Sequence, residues 1–559
     1  RFCLAFPDTY AIGMSHHGLQ VLYHLLNSRE DWACERVFTP WNDMEATLRR
    51  HRLPLYSLET FTPLDRFDAV GFSLQYELGY TNVLTMLELG RIPLEAEARN
   101  DEHPLILAGG ACVFNPEPMA RFFDLFLIGD GEEVLPRLFE RWLTLKKSGG
   151  CREAALLEIA RSFPSVYVPR FYEVAYDDAG RAGKPVPTEA GVPEQIEPAI
   201  VQDLDAFPLP EKPIVPMVET VQDRVAVEIM RGCPGRCRFC QSTSIKRPLR
   251  YRSVESIVRS CENACRFSGL NEVSLLSLST SDYPHFSELM QALGRRLTPQ
   301  HIAMSVPSLR VNEQLSDAMG QLNTLKHSSL TVAPEAAGDE LRRRIGKRVT
   351  NEHLLEGCRT AFEKGFHRVK LYFMCGLPGE TEEDLTGILR MAEAVARLGK
   401  EVRKRFPTVT VSVANFVPKP HTPFQWCGME TPEYFAQAHR TMRQALKLRP
   451  VKLKYHDLEM SLLEGLISRG DRRIGEVVLR AWKAGARCDA WSDQFEPDHW
   501  HAAIESCESA GLFDHRILVH QPYPPEAALP WSHISTFRGH EFLKREYSAA
   551  CPRETGSLE

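Results

Sequence analysis

The chain has 559 residues, 43% hydrophobic and 25% charged, a balance that suits a globular protein of roughly three to four domains. A formal net charge of −6 excludes an overall basic field for nucleic acid or anionic lipid, which weakens an RNA substrate but leaves a local basic groove open. No apolar run reaches the ~20 residues of a membrane span, and 15 scattered cysteines, an odd number, are no disulfide framework, so a reducing cytoplasm is the expected compartment.

Arg1 leads at once into a strand-like run, so the true N-terminus is expected upstream. Residues 1–145 alternate short apolar runs with helical segments. Strands are expected at Phe2–Phe6, Ala69–Ser73, Leu105–Ala108 and Leu125–Ile128, the last two running into glycine turns. Such runs mark a parallel sheet buried on both faces, hence an α/β, doubly wound domain with its ligand beyond the strand C-termini. Residues 146–222 read as a connector, with a hairpin near Val166–Val174 and a proline-rich stretch through Pro208, Pro210, Pro213 and Pro216.

Residues 223–425 alternate strand and helix again. Six strands, Val225–Met230, Glu272–Leu278, His301–Val306, His327–Val332, Arg368–Met374 and Thr408–Phe416, suit a partial (β/α)6 TIM-type barrel with chemistry at the strand C-termini. Residues 426–559 read as a mainly helical C-terminal region. Its run Ser468-Arg469-Gly470-Asp471-Arg472-Arg473 is either an anion clamp or a solvated helix start.

The strongest local signal follows the first barrel strand: Gly232-Cys233-Pro234-Gly235-Arg236-Cys237-Arg238-Phe239-Cys240. A loop with cysteines spaced C-x-x-x-C-x-x-C can wrap three thiolates around one face of a 4Fe–4S cubane and leave the fourth iron without a protein ligand. The alternatives are a zinc site or three unrelated core cysteines. Zinc wants a fourth ligand, and none lies close by in sequence. Cys375, at a strand C-terminus, is a candidate nucleophile or hydrogen donor facing the substrate.

This segment resembles the signature of the radical S-adenosylmethionine superfamily. The resemblance implies metal ligation by Cys233, Cys237 and Cys240, and an adenine-side position for Phe239. It further implies contacts to S-adenosylmethionine from Ser279 and Thr280 after the second strand, Ser305 and Arg310 around the third, Glu335 after the fourth, and Gly376 in the Gly-Leu-Pro-Gly-Glu-Thr turn after the fifth. The usual Gly-Gly-Glu after the second strand is missing here.

Ahead of the barrel, the doubly wound domain resembles a cobalamin-binding one. The resemblance implies that Ser73, Gly109, Gly110 and Gly129 border the corrin and its nucleotide tail. Cobalamin mutases supply a cobalt ligand from D-x-H-x-x-G. With its last Gly placed on Gly18, Ser15 occupies the His position and Gly13 the Asp position, although His16 and His17 stand nearby. A cobalt without that ligand suits methyl transfer.

The implied activity is therefore generation of a 5′-deoxyadenosyl radical and cobalamin-dependent methylation of an unactivated carbon. Cofactors would be a 4Fe–4S cluster, S-adenosylmethionine and cobalamin, with an external donor such as flavodoxin or ferredoxin. Two rivals stay open: sulfur insertion or rearrangement on tRNA, rRNA or a ribosomal protein, and a cluster-bearing binding or sensing protein without turnover. The substrate itself, whether small molecule, protein or RNA, is not legible.

Overall fold

The computed structural model describes residues 1–306 and 329–551, and its internal contacts divide the chain into two compact units. The first comprises residues 1–202, 214–223 and 462–536; the second comprises 203–213, 224–461 and the chain from Phe537. The connector and the C-terminal region of the sequence reading are thus each shared out between two units, where the sequence suggested four consecutive segments.

The first unit is built on a six-stranded sheet: β1 (Phe2–Phe6), β2 (Cys34–Phe38), β3 (Ala69–Ser73), β4 (Leu105–Gly109), β5 (Leu125–Leu127) and β6 (Val166–Tyr167), in the order β2-β1-β3-β4-β5-β6. The first five are parallel and β6 runs antiparallel to β5. This is the flavodoxin-like variant of the doubly wound arrangement, whose switch point lies between β1 and β3. All five residues of β1 are buried, which is why its sequence is a continuous apolar run.

β2 was not expected, because Glu35 and Arg36 interrupt its apolar pattern. Both are satisfied locally: Arg36 pairs with Glu59 at 2.7 Å, and Glu35 accepts hydrogen bonds from Ser57 and Thr60. The connector carries the expected hairpin, β7 (Tyr172–Glu173) against β8 (Val186–Pro187). Further on, helices of the C-terminal region complete this unit. Ile474–Ala484 packs on Tyr80–Leu89 and on the 3-10 segment Glu117–Phe122.

The second unit has β9 (Val225–Glu228), a short antiparallel pair β10 (Met230–Arg231) and β11 (Arg250–Tyr251), and then β12 (Glu272–Leu276) and β13 (Ala303–Ser305). These are followed by β14 (Leu330–Glu335), β15 (Arg368–Cys375), β16 (Thr408–Asn415) and β17 (Val451–Tyr455). Seven of these strands are parallel, as a three-stranded sheet β13-β12-β9 and a four-stranded sheet β14-β15-β16-β17. The six expected barrel strands are present. β17 is a seventh, inside the region expected to be mainly helical; its Val-Lys-Leu-Lys-Tyr alternation is the pattern of a half-buried strand.

Burial alternates along these strands. In β15, Val369, Leu371, Phe373 and Cys375 are buried while Lys370, Tyr372 and Met374 are more open. The helix Glu382–Arg403 packs on β15, β16 and β17, so the buried set faces the helices and the other set lines the inner face. No helix among the described residues is long and apolar enough to cross a membrane.

Candidate active site

The cysteine loop leaves β10, passes through a short helix at Ser242–Ile245 and returns on β11. Its backbone is held from several sides. Arg247 Nη2 donates to the carbonyls of Cys233 (2.7 Å) and Gly235 (3.1 Å), and Thr243 Oγ1 donates to that of Cys240 (2.8 Å). Arg238 N donates to Ile345 O at 2.8 Å, and the Arg238 guanidinium pairs with Glu546 at 3.0 Å. Phe424 N donates to Arg238 O at 3.3 Å.

Cys233 is buried, Cys237 and Cys240 are partly so, and none is in a disulfide. Burial, with the neighbouring thiols of Cys237 and Cys233, pushes the Cys240 thiol up to about 11. Three soft donors gathered on one fixed loop, close enough for Cys237 and Cys233 to oppose the ionisation of Cys240, fit an iron–sulfur cluster, whose cationic iron would offset that repulsion.

Around the loop, Phe239 and Met374 pack against a buried group that includes Ile345, Leu377, Phe416 and Phe424. The loop is thereby brought against the Gly-Leu-Pro-Gly-Glu-Thr turn. Gly376 takes φ +82°, and its N–H donates to Glu380 Oε2 (2.7 Å), which also accepts from Tyr434 OH (2.7 Å). Glu335 ends β14 at φ +70°, a conformation rare for a residue with a side chain and one that clusters at functional sites. Its carboxylate lies 3.2 Å from Lys347 Nζ; burial raises its pKa and Lys347 partly opposes that.

Ser279 and Thr280 are both buried, with their hydroxyls spent inside their own turn. Ser279 Oγ donates to Asp282 (2.5 Å), and Thr280 Oγ1 shares a hydrogen bond with Ser277 (2.9 Å). Ser274, which the sequence reading passed over, is the more telling residue. It sits on the inner face of β12 opposite Ser305 of β13, and its buried hydroxyl has no hydrogen-bond partner among the described residues. Arg310 lies outside the described residues.

Cys375 requires a correction. It is fully buried on the helix-facing side of β15, where its Sγ meets Asn415 Oδ1 (3.5 Å) and His439 Nε2 (3.9 Å) of the helix Pro432–Ala445. Burial also pushes its thiol well up. A buried, protonated thiol on the outer face is no substrate-facing nucleophile or hydrogen donor. The alternation of strand side chains decides this, since Met374 takes the inner position instead.

In the first unit, Ser73 and Gly109 stand opposite one another at the C-terminal ends of β3 and β4. Ser73 Oγ accepts from Gln75 (2.9 Å), and a Cβ on Gly109 would meet nothing nearer than Leu127 O at 3.8 Å. Both are partly buried at neighbouring strand ends, and the small side chain of one and the bare backbone of the other fit a flat ligand lying against those ends.

Gly110 and Gly129 are required by the protein's own backbone. At φ +111°, a Cβ on Gly110 would strike Leu74 O at 2.3 Å. At φ +102°, one on Gly129 would strike Ala199 O at 2.3 Å, where the connector bridges onto the end of β5. His16 caps the helix His17–Leu26, its Nδ1 accepting from Leu19 N at 3.1 Å.

The arginine-rich run is a clasp. Arg469 donates to the carbonyls of Leu518 and Gln521 (both 2.7 Å), and Arg472 pairs with buried Glu117 at 2.8 Å. Arg473 is held by Asp471 and donates to Gly180 O. Asn115 donates to the carbonyls of Ser468 and Gly470.

Comparisons with known proteins agree with this geometry. The family model described as radical SAM proteins, N-terminal, matches residues 18–169, and that of the radical SAM superfamily matches residues 227–392. An uncharacterized protein of Methanocaldococcus jannaschii is 28% identical over 440 residues, 76% of this chain and 82% of that one. The ribosomal protein uS12 methylthiotransferase RimO of Gloeothece citriformis is 26% identical over 287 residues, 49% of this chain and 62% of that one. Among solved structures, the radical S-adenosylmethionine methyltransferase TsrM of Kitasatospora setae, with cobalamin and a [4Fe-4S] cluster bound, matches with a TM-score of 0.55. The match covers 91% of this chain and 99% of that one at 14% identity, a likeness of fold. With the cysteine loop seated where its first barrel strand ends and both family models matched in tandem, the chain belongs to the radical SAM superfamily.

Proposed function

We propose that this radical SAM enzyme methylates an unactivated carbon with cobalamin as methyl carrier. The observation that carries the reading is the presence, in one chain, of the clamped three-cysteine loop and of a doubly wound unit whose strands β3 and β4 end side by side in the small residues Ser73 and Gly109. The fold likeness to a cobalamin-bearing methyltransferase over 91% of the chain supports it.

When bound, the cluster would reduce S-adenosylmethionine to yield a 5′-deoxyadenosyl radical, and cobalamin would carry the methyl group. Cys233, Cys237 and Cys240 would hold the cluster. Ser274 and Ser305 offer polar groups from the inner strand faces, and Glu335 offers a carboxylate at the end of β14. The apolar wall of Phe239, Met374, Phe416 and Phe424 would exclude water from the radical's surroundings. An external one-electron donor of the flavodoxin or ferredoxin kind would serve the cluster.

A second reading, methylthio transfer to a ribosomal protein, is favoured by the RimO relatives, although the chain spans about half to three-fifths of their length. The deciding experiment is anaerobic reconstitution with iron, sulfide and hydroxocobalamin, followed by dithionite and S-adenosylmethionine. The expected result is about four irons per chain, bound corrin, and 5′-deoxyadenosine that Cys237→Ala abolishes. Deoxyadenosine without corrin would remove the methylase reading and leave methylthio transfer. Absence of deoxyadenosine from folded, cluster-loaded protein would make the chain a binding or sensing protein.

A further inference from the structure

We propose that the inner face of the β14–β17 sheet binds an anionic part of the substrate through Lys370, Lys452 and Lys454. The proposal rests on the radical-enzyme reading and names the class of substrate: a molecule bearing phosphate or carboxylate groups.

The strand register places the three lysines. Lys370 of β15 is level with Thr410 of β16 and Lys452 of β17, while Tyr372, Ser412 and Lys454 form the next inward-facing row. Adjacent strands lie about 4.8 Å apart and alternate residues about 6.6 Å apart, so the three cations span a patch about 10 Å by 7 Å. Lys452 and Lys454 are exposed, and Lys370 Nζ lies 4.5 Å above the Tyr372 ring. Thr331, Thr410 and Ser412 add hydroxyls to the same face.

None of the three lysines is ion-paired among the described residues. The acids of the inner strand faces already have partners, Glu228 in Arg231 and Glu272 in Arg224, and Glu335 at the end of β14 is held by Lys347. Among the described residues the face therefore presents three positive charges without an ion pair, in a position that barrels ordinarily fill with branched aliphatic residues. Lysines on an edge strand such as β17 also discourage edge-to-edge pairing. That explanation does not reach Lys370, which stands on a central strand and completes the same patch. An ammonium is a compact point charge with three rotatable donors, suited to phosphate or carboxylate oxygens arriving in more than one orientation.

The test is calorimetric titration of the reconstituted full chain with tripolyphosphate and, separately, with citrate, at low and high salt. Binding of one of them that weakens with salt, and falls at least about tenfold in Lys370→Gln/Lys452→Gln/Lys454→Gln, is expected and tells phosphate from carboxylate. Circular dichroism and cluster absorbance check the fold of the triple variant. If it does not fold, Lys452→Gln alone, on the exposed edge strand, is expected to bind about threefold more weakly. Binding of neither anion, or equal binding by wild type and variant, overturns the proposal. Deoxyadenosine formation by the wild type is measured on the same preparation: its failure would strike the radical-enzyme reading and leave the anion result to stand by itself.

Discussion

Cys375 and Met374 are neighbours in sequence and face opposite sides of β15, and their roles divide accordingly. Met374 packs with Phe239 on the inner side; Cys375 is sealed between Asn415 and His439. Cys375→Ala should therefore leave 5′-deoxyadenosine formation unchanged and lower stability by about 1–2 kcal/mol, the cost of emptying a small buried site. A large loss of turnover in a protein of unaltered melting temperature would contradict that.

Glu380 makes a sharper test. Burial, set against hydrogen bonds from Gly376 and Tyr434, raises its carboxyl from 4.5 to about 7. The folded state thus holds this proton more tightly than the unfolded one. The resulting stability is fully present below about 4.5 and is lost as pH rises through about 7, by up to about 3 kcal/mol. Glu380→Gln keeps an acceptor and cannot titrate, so the variant should gain on the wild type between pH 5 and pH 8. Parallel melting curves at the two pH values would refute the assignment.

Between elements, the glycines at strand ends divide into those that leave space and those that fill it. A Cβ on Gly129 would strike the connector backbone at Ala199, whereas one on Gly109 would make only an ordinary contact with Leu127 O at 3.8 Å. Gly129→Ala should cost about 3 kcal/mol through left-handed strain and the backbone clash. Gly109→Ala should change stability by less than about 0.5 kcal/mol while weakening corrin binding. Equal corrin affinity in Gly109→Ala and wild type would move the cofactor away from the β3 and β4 ends. Sequence spacing ranked these glycines alike, because each follows an apolar strand; the difference lies in the distant segment that packs on Gly129.

For the whole molecule, residues 462–536 are part of the first unit, and the clasp at 468–473 fastens them there. Glu117 is completely buried and Arg472 is its charge partner. Removing the guanidinium would strand a carboxylate in the interior, so Arg472→Met should cost about 3 kcal/mol or more, and Glu117→Gln in the same chain should recover part of it. Additive losses would show that the pair is uncoupled.

The cysteine loop, the apolar strands and the turn after the fifth barrel strand were all legible in the sequence. Each is a local pattern: a ligand spacing, a run buried on both faces, or glycines bracketing a tight bend. The β2 strand was hidden by Glu35 and Arg36, whose partners come from Ser57 to Thr60, whereas the alternation of β17 was legible and was passed over inside a region expected to be helical. The arginine run looked equally like an anion clamp or a solvated helix start, since only folding brings Glu117 and the carbonyls of Leu518 and Gln521 to it. Local spacing pointed to the three-thiolate cluster loop, and the resemblance that loop carries implied the radical chemistry. Which side chains face the inner strand surface, which glycines the backbone requires and which charges stand without an ion pair among the described residues are long-range facts, fixed by strand register and by segments hundreds of residues apart, and only the tertiary structure decided them.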